Sequence, residues 1–168
     1  MGQIAAEAQM SVGQIYRYFP SKEAIIHAIV ERIVAKRLQW MLNREKQVNF
    51  PAVFAQRGHF RPGEDDEESD RVLMLEVTAE ATRNPAVAEI VREADRRIRS
   101  QAVELVRAAY PEFTESQAAA RVEFFSVLSE GIASRYVADQ VTDVQVMEQF
   151  YADILRTVFP HMTAQKLG

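Results

Sequence analysis

Gln14, Tyr16, Arg17, Tyr18 and Lys22 bring an amide, two phenols, a guanidinium and an ammonium into one short stretch of the chain. This set lacks a nucleophile paired with a base, but it suits a nucleic acid. Gln pairs bidentately with adenine, Arg with guanine or a phosphate, and tyrosine hydroxyls reach phosphate oxygens, while Gly13 lets a backbone approach closely. Lys22 falls where a helix starts, and the free N–H groups and dipole there favour an anion. Ile15 and Phe19, four residues apart, face inward together, which turns Gln14, Arg17 and Tyr18 to solvent with Tyr16 near the boundary.

Catalysis has less to work with. His27, His59 and His161 fall in a helix, a loop and the C-terminal tail, without ligand or triad spacing. Glu76 and Glu80 are close on a helix but have no other catalytic group beside them. With no cysteine in the chain, neither a disulfide nor a thiolate metal site is available. The expectation is a protein that is not an enzyme and uses no cofactor and no metal.

The elements that position these side chains carry start signals. "GQIAAEAQM" reads as a short helix of small residues with Ile4 and Ala8 on one side. Ser11 then caps a second short helix, with Gln14 completing a Ser-x-x-Gln capping box. Ser21 caps a long helix to about Arg44, in which Ile25, Ile26, Ala28, Ile29, Ile33 and Leu38 recur at helical spacing. Two short helices at a tight turn, followed by a lysine at a helix start, have the layout of a helix-turn-helix with a phosphate clamp.

Beyond it, Pro51 suits the start of a new helix, and "RGHFRPGEDDEESD" reads as a polar surface loop with an acidic run. "RVLMLEVTAEATR" is apolar nearly all round and predicts a helix buried on most faces, Glu76 and Glu80 excepted. Asn84-Pro85 caps the next helix, whose stripe from Val87 through Ala94 and Ile98 to Val106 and Ala109 runs until Tyr110-Pro111; its Arg92, Arg96, Arg97 and Arg99 form a solvated face. Further helices are predicted from Thr114 or Ser116 to about Ala138 and from Thr142 to Phe159, and no strand alternation occurs. The fold class is all-α. At 168 residues with 48% hydrophobic content, the chain can bury one sizeable core in one or two closely packed helical units.

Net charge is −4, yet residues 1 to 46 hold seven Lys/Arg against four Glu while the rest holds thirteen against twenty acids. The basic end and the acidic end do different jobs. The chain shows no signal-peptide pattern and no apolar run near the roughly 20 residues that span a bilayer, so a soluble, cytoplasmic protein with no membrane partner is expected.

"IAAEAQMSVGQIYRYFPSKEAI" resembles the DNA-binding signature of the TetR family of transcriptional regulators. The resemblance is close over about the first 45 residues and extends to the rest only in layout. It implies a helix-turn-helix DNA-binding domain with its linking helix at residues 1–45, and a C-terminal ligand-binding and dimerisation domain at residues 46–168. Val12, Gly13, Gln14, Tyr16, Arg17 and Tyr18 would then face double-stranded operator DNA, and Lys22 would hold a phosphate. The function implied is a homodimeric repressor released from its operator by a small-molecule inducer. The alternative is a dimeric small-molecule-binding or interaction module that no longer binds DNA.

The pocket is expected among Trp40, Met41, Phe54, Met74, Val77 and Phe124, large apolar residues spread over the helices that enclose this family's cavity. Glu76 and Glu80 would favour a cationic or hydrogen-bond-donating ligand, or else pair with arginines such as Arg83 or Arg92. The last two helices would form the dimer, through Phe125, Leu128, Gly131, Ile132, Phe150, Ile154 and Val158, and the same residues also suit an intramolecular core. Two departures from the family pattern stand out. Gln9 occupies a turn position usually held by glycine. The family also places a further helix before "GQIAAEA"; without that cover the face of Ile4, Ala8, Ile15 and Phe19 is expected to be exposed, operator binding to be weak, and a chain extended upstream by about 20 to 30 residues, the room for one helix and a short arm, to bind better.

Overall fold

The computed structural model describes residues 9–42, 66–135 and 143–160, with side chains left undescribed at 66–69. Every regular element among them is a helix, as the periodicity predicts. α1 is Val12–Tyr18, α2 Lys22–Leu42, α3 Asp66–Ala81, α4 Pro85–Ala109, α5 Glu115–Ser134 and α6 Val144–Val158.

The starts follow from side chains that satisfy the first free N–H groups. Ser11 Oγ accepts from Gln14 N at 3.1 Å while Gln14 Oε1 accepts from Ser11 N at 2.7 Å, a complete capping box for α1. Ser21 Oγ accepts from Ala24 N at the start of α2. Asn84 Oδ1 accepts from Ala86 N and Val87 N, with Pro85 in the first turn of α4. Thr114 and Gln117 form a second capping box for α5. The start of the last helix differs from expectation, because Asp143 caps α6 by accepting from Gln145 N and Val146 N. Upstream of α1, Gln9 has φ 52°, so the turn keeps its left-handed residue although a side chain is present.

Two further expectations are corrected. The acidic run is not loop to its end: α3 begins at Asp66, where carboxylates favour the positive end of a helix dipole. Asp70 is buried, because Arg32 Nη2 and Lys36 Nζ of α2 reach its two oxygens at 2.6 and 3.1 Å. Nor is α3 buried on most faces. Val77 is buried and Leu73, Met74 and Leu75 are half-covered, while Glu76, Thr78 and Ala79 are exposed. The stripe Met74, Val77 and Ala81 joins a core with α2 and α4, and one side of a helix cannot cover the other.

That first core contains Ile26, Val30 and Val34 of α2, Val77 of α3, and Val87 and Ala94 of α4, with Leu38, Ile90, Val91 and Ile98 against it. A second core lies at the far end of α4, where Tyr110, Leu155 and Phe159 are buried among Val106, Phe113, Phe125, Leu128, Ile132 and Tyr151. Tyr110 stacks on Phe113 with ring centroids 5.0 Å apart. Arg121 lies over the Phe113 ring and donates from Nε to Val158 O at 2.8 Å, which fastens α5 to the end of α6. At about 1.5 Å per residue, the 25 residues of α4 span roughly 37 Å and belong to both cores.

Candidate nucleic-acid interface

α1 presents a polar and aromatic surface. Ile15 is 4% exposed and Phe19 half-buried, whereas Val12, Gly13, Gln14, Tyr16, Arg17 and Tyr18 are all exposed. The inward face was expected to lie open; at Ile15 it does not, and Ile4 and Ala8 lie outside the described residues. A Cβ added at Gly13 would meet only Ser11 Oγ, at 4.0 Å, so the outer surface at Gly13 is open.

The side chains of this surface are already partly engaged. Gln14 lends its carbonyl oxygen to the capping box, which leaves the amide nitrogen and one carbonyl lone pair for any other partner. Arg17 Nη2 donates to Tyr18 Oη at 3.2 Å, and its guanidinium carbon lies 5.3 Å from the Tyr18 ring centroid, so the two form one cationic unit.

Lys22 is not a free clamp. Its Nζ donates to Glu80 Oε1 at 3.0 Å, across from the end of α3, and the other oxygen of Glu80 accepts from Arg83 Nη2. Lys22 and then Arg83 hold the Glu80 carboxyl below the usual carboxylate range. Next to it, Asn84 Nδ2 donates to Glu23 Oε1 at 3.0 Å while the same amide's oxygen caps α4. Glu23 is also held below its ordinary value, first by a hydrogen bond from its own backbone N–H, then by Asn84 and Ser21. The start of α2 is thus tied to the α3–α4 turn at two adjacent residues. Farther along, Glu31 pairs with Arg97 at 2.5 Å, and Arg32 and Lys36 share Asp70. Sequence reading missed these ties, since residues 34 to 66 positions apart carry no local signal of contact.

Of the residues expected to line a pocket, Met74 and Val77 meet in the first core. Trp40 is exposed and Met41 half-buried near the far end of α2, Glu76 is exposed, and Phe54 lies outside the described residues. Phe124 is exposed on α5, which packs on α4, and so faces away from that core. Of the expected dimer residues, Phe125, Leu128, Ile132 and Val158 pack into the second core of their own chain. Ile154 is half-buried, Gly131 is exposed with nothing within 4 Å of an added Cβ, and Phe150 is 58% exposed. Phe124 and Val127 on α5, beside Gly131, and Val146 and Phe150 on α6 are apolar side chains left exposed. The i, i+3 and i, i+4 spacings of Phe124–Val127 and Val146–Phe150 were the available signal for them.

Arg92 and Arg96 form a solvated ladder with Glu89 and Glu93, as expected. Arg97 and Arg99 differ, because they reach across to Glu31 of α2 and Glu123 of α5. His27 is exposed on α2, and His59 and His161 lie outside the described residues.

Residues 1–29 match the family described as bacterial regulatory proteins, tetR family, and residues 59–160 match the family described as BetI-type transcriptional repressor, C-terminal. The chain belongs to the TetR family of transcriptional regulators. Its fold is similar to that of the solved structure of Salmonella enterica GusR, with a TM-score of 0.61 and 22% identity over 91% of this chain and 82% of that one. A comparison with curated proteins returns no match. Membership places the TetR-type DNA-binding region at the N-terminus, where α1 presents its polar surface. Among the described residues no helix is long and apolar enough to cross a membrane.

Proposed function

We propose that this TetR-family regulator is a homodimeric repressor that a small molecule releases from its operator. The observation that carries the reading is the exposed surface of α1 set directly before a helix whose first turn is tied to the α3–α4 turn by Lys22–Glu80 and Glu23–Asn84. Val12, Gly13, Gln14, Tyr16, Arg17 and Tyr18 face the major groove, and Lys22 contacts a phosphate. The BetI-type repressor description of residues 59–160 supports repression. Residues 1–45 are the DNA-binding unit with α2 as its link, and residues 46–168 bind ligand and dimerise. α2 belongs physically to both, because Ile26, Val30 and Val34 are buried against α3 and α4.

The exposed apolar side chains of α5 and α6 support a two-fold dimer in which these helices pair with their symmetry mates. Phe150 and Gly131 keep their expected places in that interface, and Val146, Val127 and Phe124 join them. Two α1 helices then sit about 34 Å apart, in successive major grooves. A ligand held beside Met74, Val77, Trp40 and Met41 moves α3 or α4 against α2 and spoils that spacing; it acts by binding one dimer geometry more tightly than the other. The function of a cytoplasmic, non-enzymatic regulator follows from this reading.

The test is binding to duplexes flanking the protein's own gene, measured by fluorescence anisotropy against random duplex. Preference for one flanking site of at least tenfold, lost in Gln14→Ala and Arg17→Ala, supports the reading. Equal affinity for every duplex, unchanged in both variants, overturns it in favour of a ligand-binding module without an operator.

A further inference from the structure

Lys22, Glu80 and Arg83 form a triad with one anion between two cations, drawn from the start of α2 and the α3–α4 turn. The exposures are unequal: 15% of the Glu80 side chain is accessible, against 51% for Lys22 and 70% for Arg83. The carboxylate therefore lies beneath, and the two cations stand outside it. Each cation donates one hydrogen bond to Glu80, whereas an ammonium has three donors and a guanidinium five, so outward donors remain on both. Lys22 is separated from α1 only by Phe19, Pro20 and Ser21, which keeps the triad close to the C-terminal end of that helix.

We infer that Arg83 is a second DNA-phosphate contact beside Lys22, and that Glu80 is a resident counter-anion from which a DNA phosphate takes over both cations. The inference rests on α1 being the DNA-reading helix. A phosphate brings charge and several acceptor oxygens to donors that Glu80 leaves unused. An exposed ion pair does little to fix geometry, whereas its charge counts in full in the release of counterions from DNA. Glu80 thus acts as a brake on affinity for any sequence. Held below the usual carboxylate range by the same two cations, it stays ionised at neutral pH.

The experiment uses the full chain, a mixed-sequence duplex and anisotropy between about 50 and 200 mM salt. Glu80→Gln is expected to bind about 2- to 5-fold tighter at the low end, the scale of one exposed pair. Its salt slope should steepen by about 1, an extra loss of about threefold to fourfold across that range. Arg83→Gln should bind more weakly with a slope shallower by about 1, while Arg92→Gln, which removes an equal charge from the Glu89 ladder, leaves the slope unchanged. If Arg17→Ala weakens binding but Arg83→Gln behaves as Arg92→Gln does, α1 stands as the interface and the triad proposal falls. If Arg17→Ala changes nothing either, both fall. Weaker binding by Glu80→Gln also overturns the brake. A readout independent of variants is the Arg83 Nε–H resonance of the unaltered chain: duplex should shift it, and inorganic phosphate at matched ionic strength should not. A shift with inorganic phosphate and none with duplex would make the triad a small-anion site and overturn the inference.

Discussion

On the proposed reading Gln14 serves two structures with one amide. Its carbonyl oxygen closes the capping box of α1, and its nitrogen, which takes no part in that box, meets a base edge. Gln14→Glu keeps an oxygen for the cap, as Ser-x-x-Glu boxes do, but loses the N–H donors that adenine requires. We expect Gln14→Glu to retain the stability of α1 within a few tenths of a kcal/mol while losing site preference, and Gln14→Ala to lose both, read as hydrogen exchange of α1 amides beside duplex affinity. Gln9 offers a second test, because a side chain at φ 52° costs about 1 kcal/mol that glycine does not incur. Gln9→Gly should slow exchange of the α1 amides several-fold; faster exchange would show that the Gln9 side chain contributes more than its backbone costs. Glu80 supplies the pH test. A carboxyl lowered in the folded protein contributes stability above its ordinary value, near 4.5, and loses it as pH falls through the lowered value. The fall in unfolding midpoint below about pH 4.5 should therefore be shallower in Glu80→Gln than in the unaltered chain.

At the scale of elements, the turn between α3 and α4 does more than reverse the chain. Asn84 caps α4 with its oxygen and holds Glu23 of α2 with its nitrogen, so one side chain sets both where α4 begins and where α2 rests. Asn84→Asp preserves the cap but sets two carboxylates against each other. It should lower the denaturation midpoint, and adding Glu23→Gln should recover most of that by restoring an amide-to-carboxylate hydrogen bond with the roles exchanged. Chemical denaturation of the two single variants and the double variant checks this. Strictly additive losses would mean that the pair does not hold α2 in place.

The whole molecule is organised by α4, which carries Val87 and Ala94 into one core and Val106 into the other. Leu155 is 2% exposed in the second core, and Leu155→Ala should cost about 2 to 5 kcal/mol. Because one continuous helix joins the cores, we expect both to unfold in a single transition in that variant, with tryptophan fluorescence of Trp40 and helical ellipticity coinciding. Phe150 separates assembly from folding. In the proposed dimer, Phe150→Asp should leave the monomer's ellipticity intact and abolish the dimer in sedimentation at micromolar concentration, since it sets a charge among apolar side chains that pairing would bury.

Local order was legible from the sequence alone. The Ser11–Gln14 box, the Asn84-Pro85 start and the inward placing of Ile15 depend on residues three or four apart, and short-range hydrogen bonding fixes them wherever the helix packs. The same locality made the TetR-type signature readable across residues 4 to 25. What the sequence did not determine was partnership across the chain. Asp70 looked like one more acid in a solvated run until Arg32 and Lys36 of α2 were brought beside it. Lys22 looked free because Glu80 is 58 residues away. Phe124 and Phe125 are neighbours of like chemistry, and only the packing of α5 on α4 and α6 decides which one enters the core and which stays exposed. Periodicity reports that a helix has an apolar face; which element covers that face is decided by the packing of the whole chain.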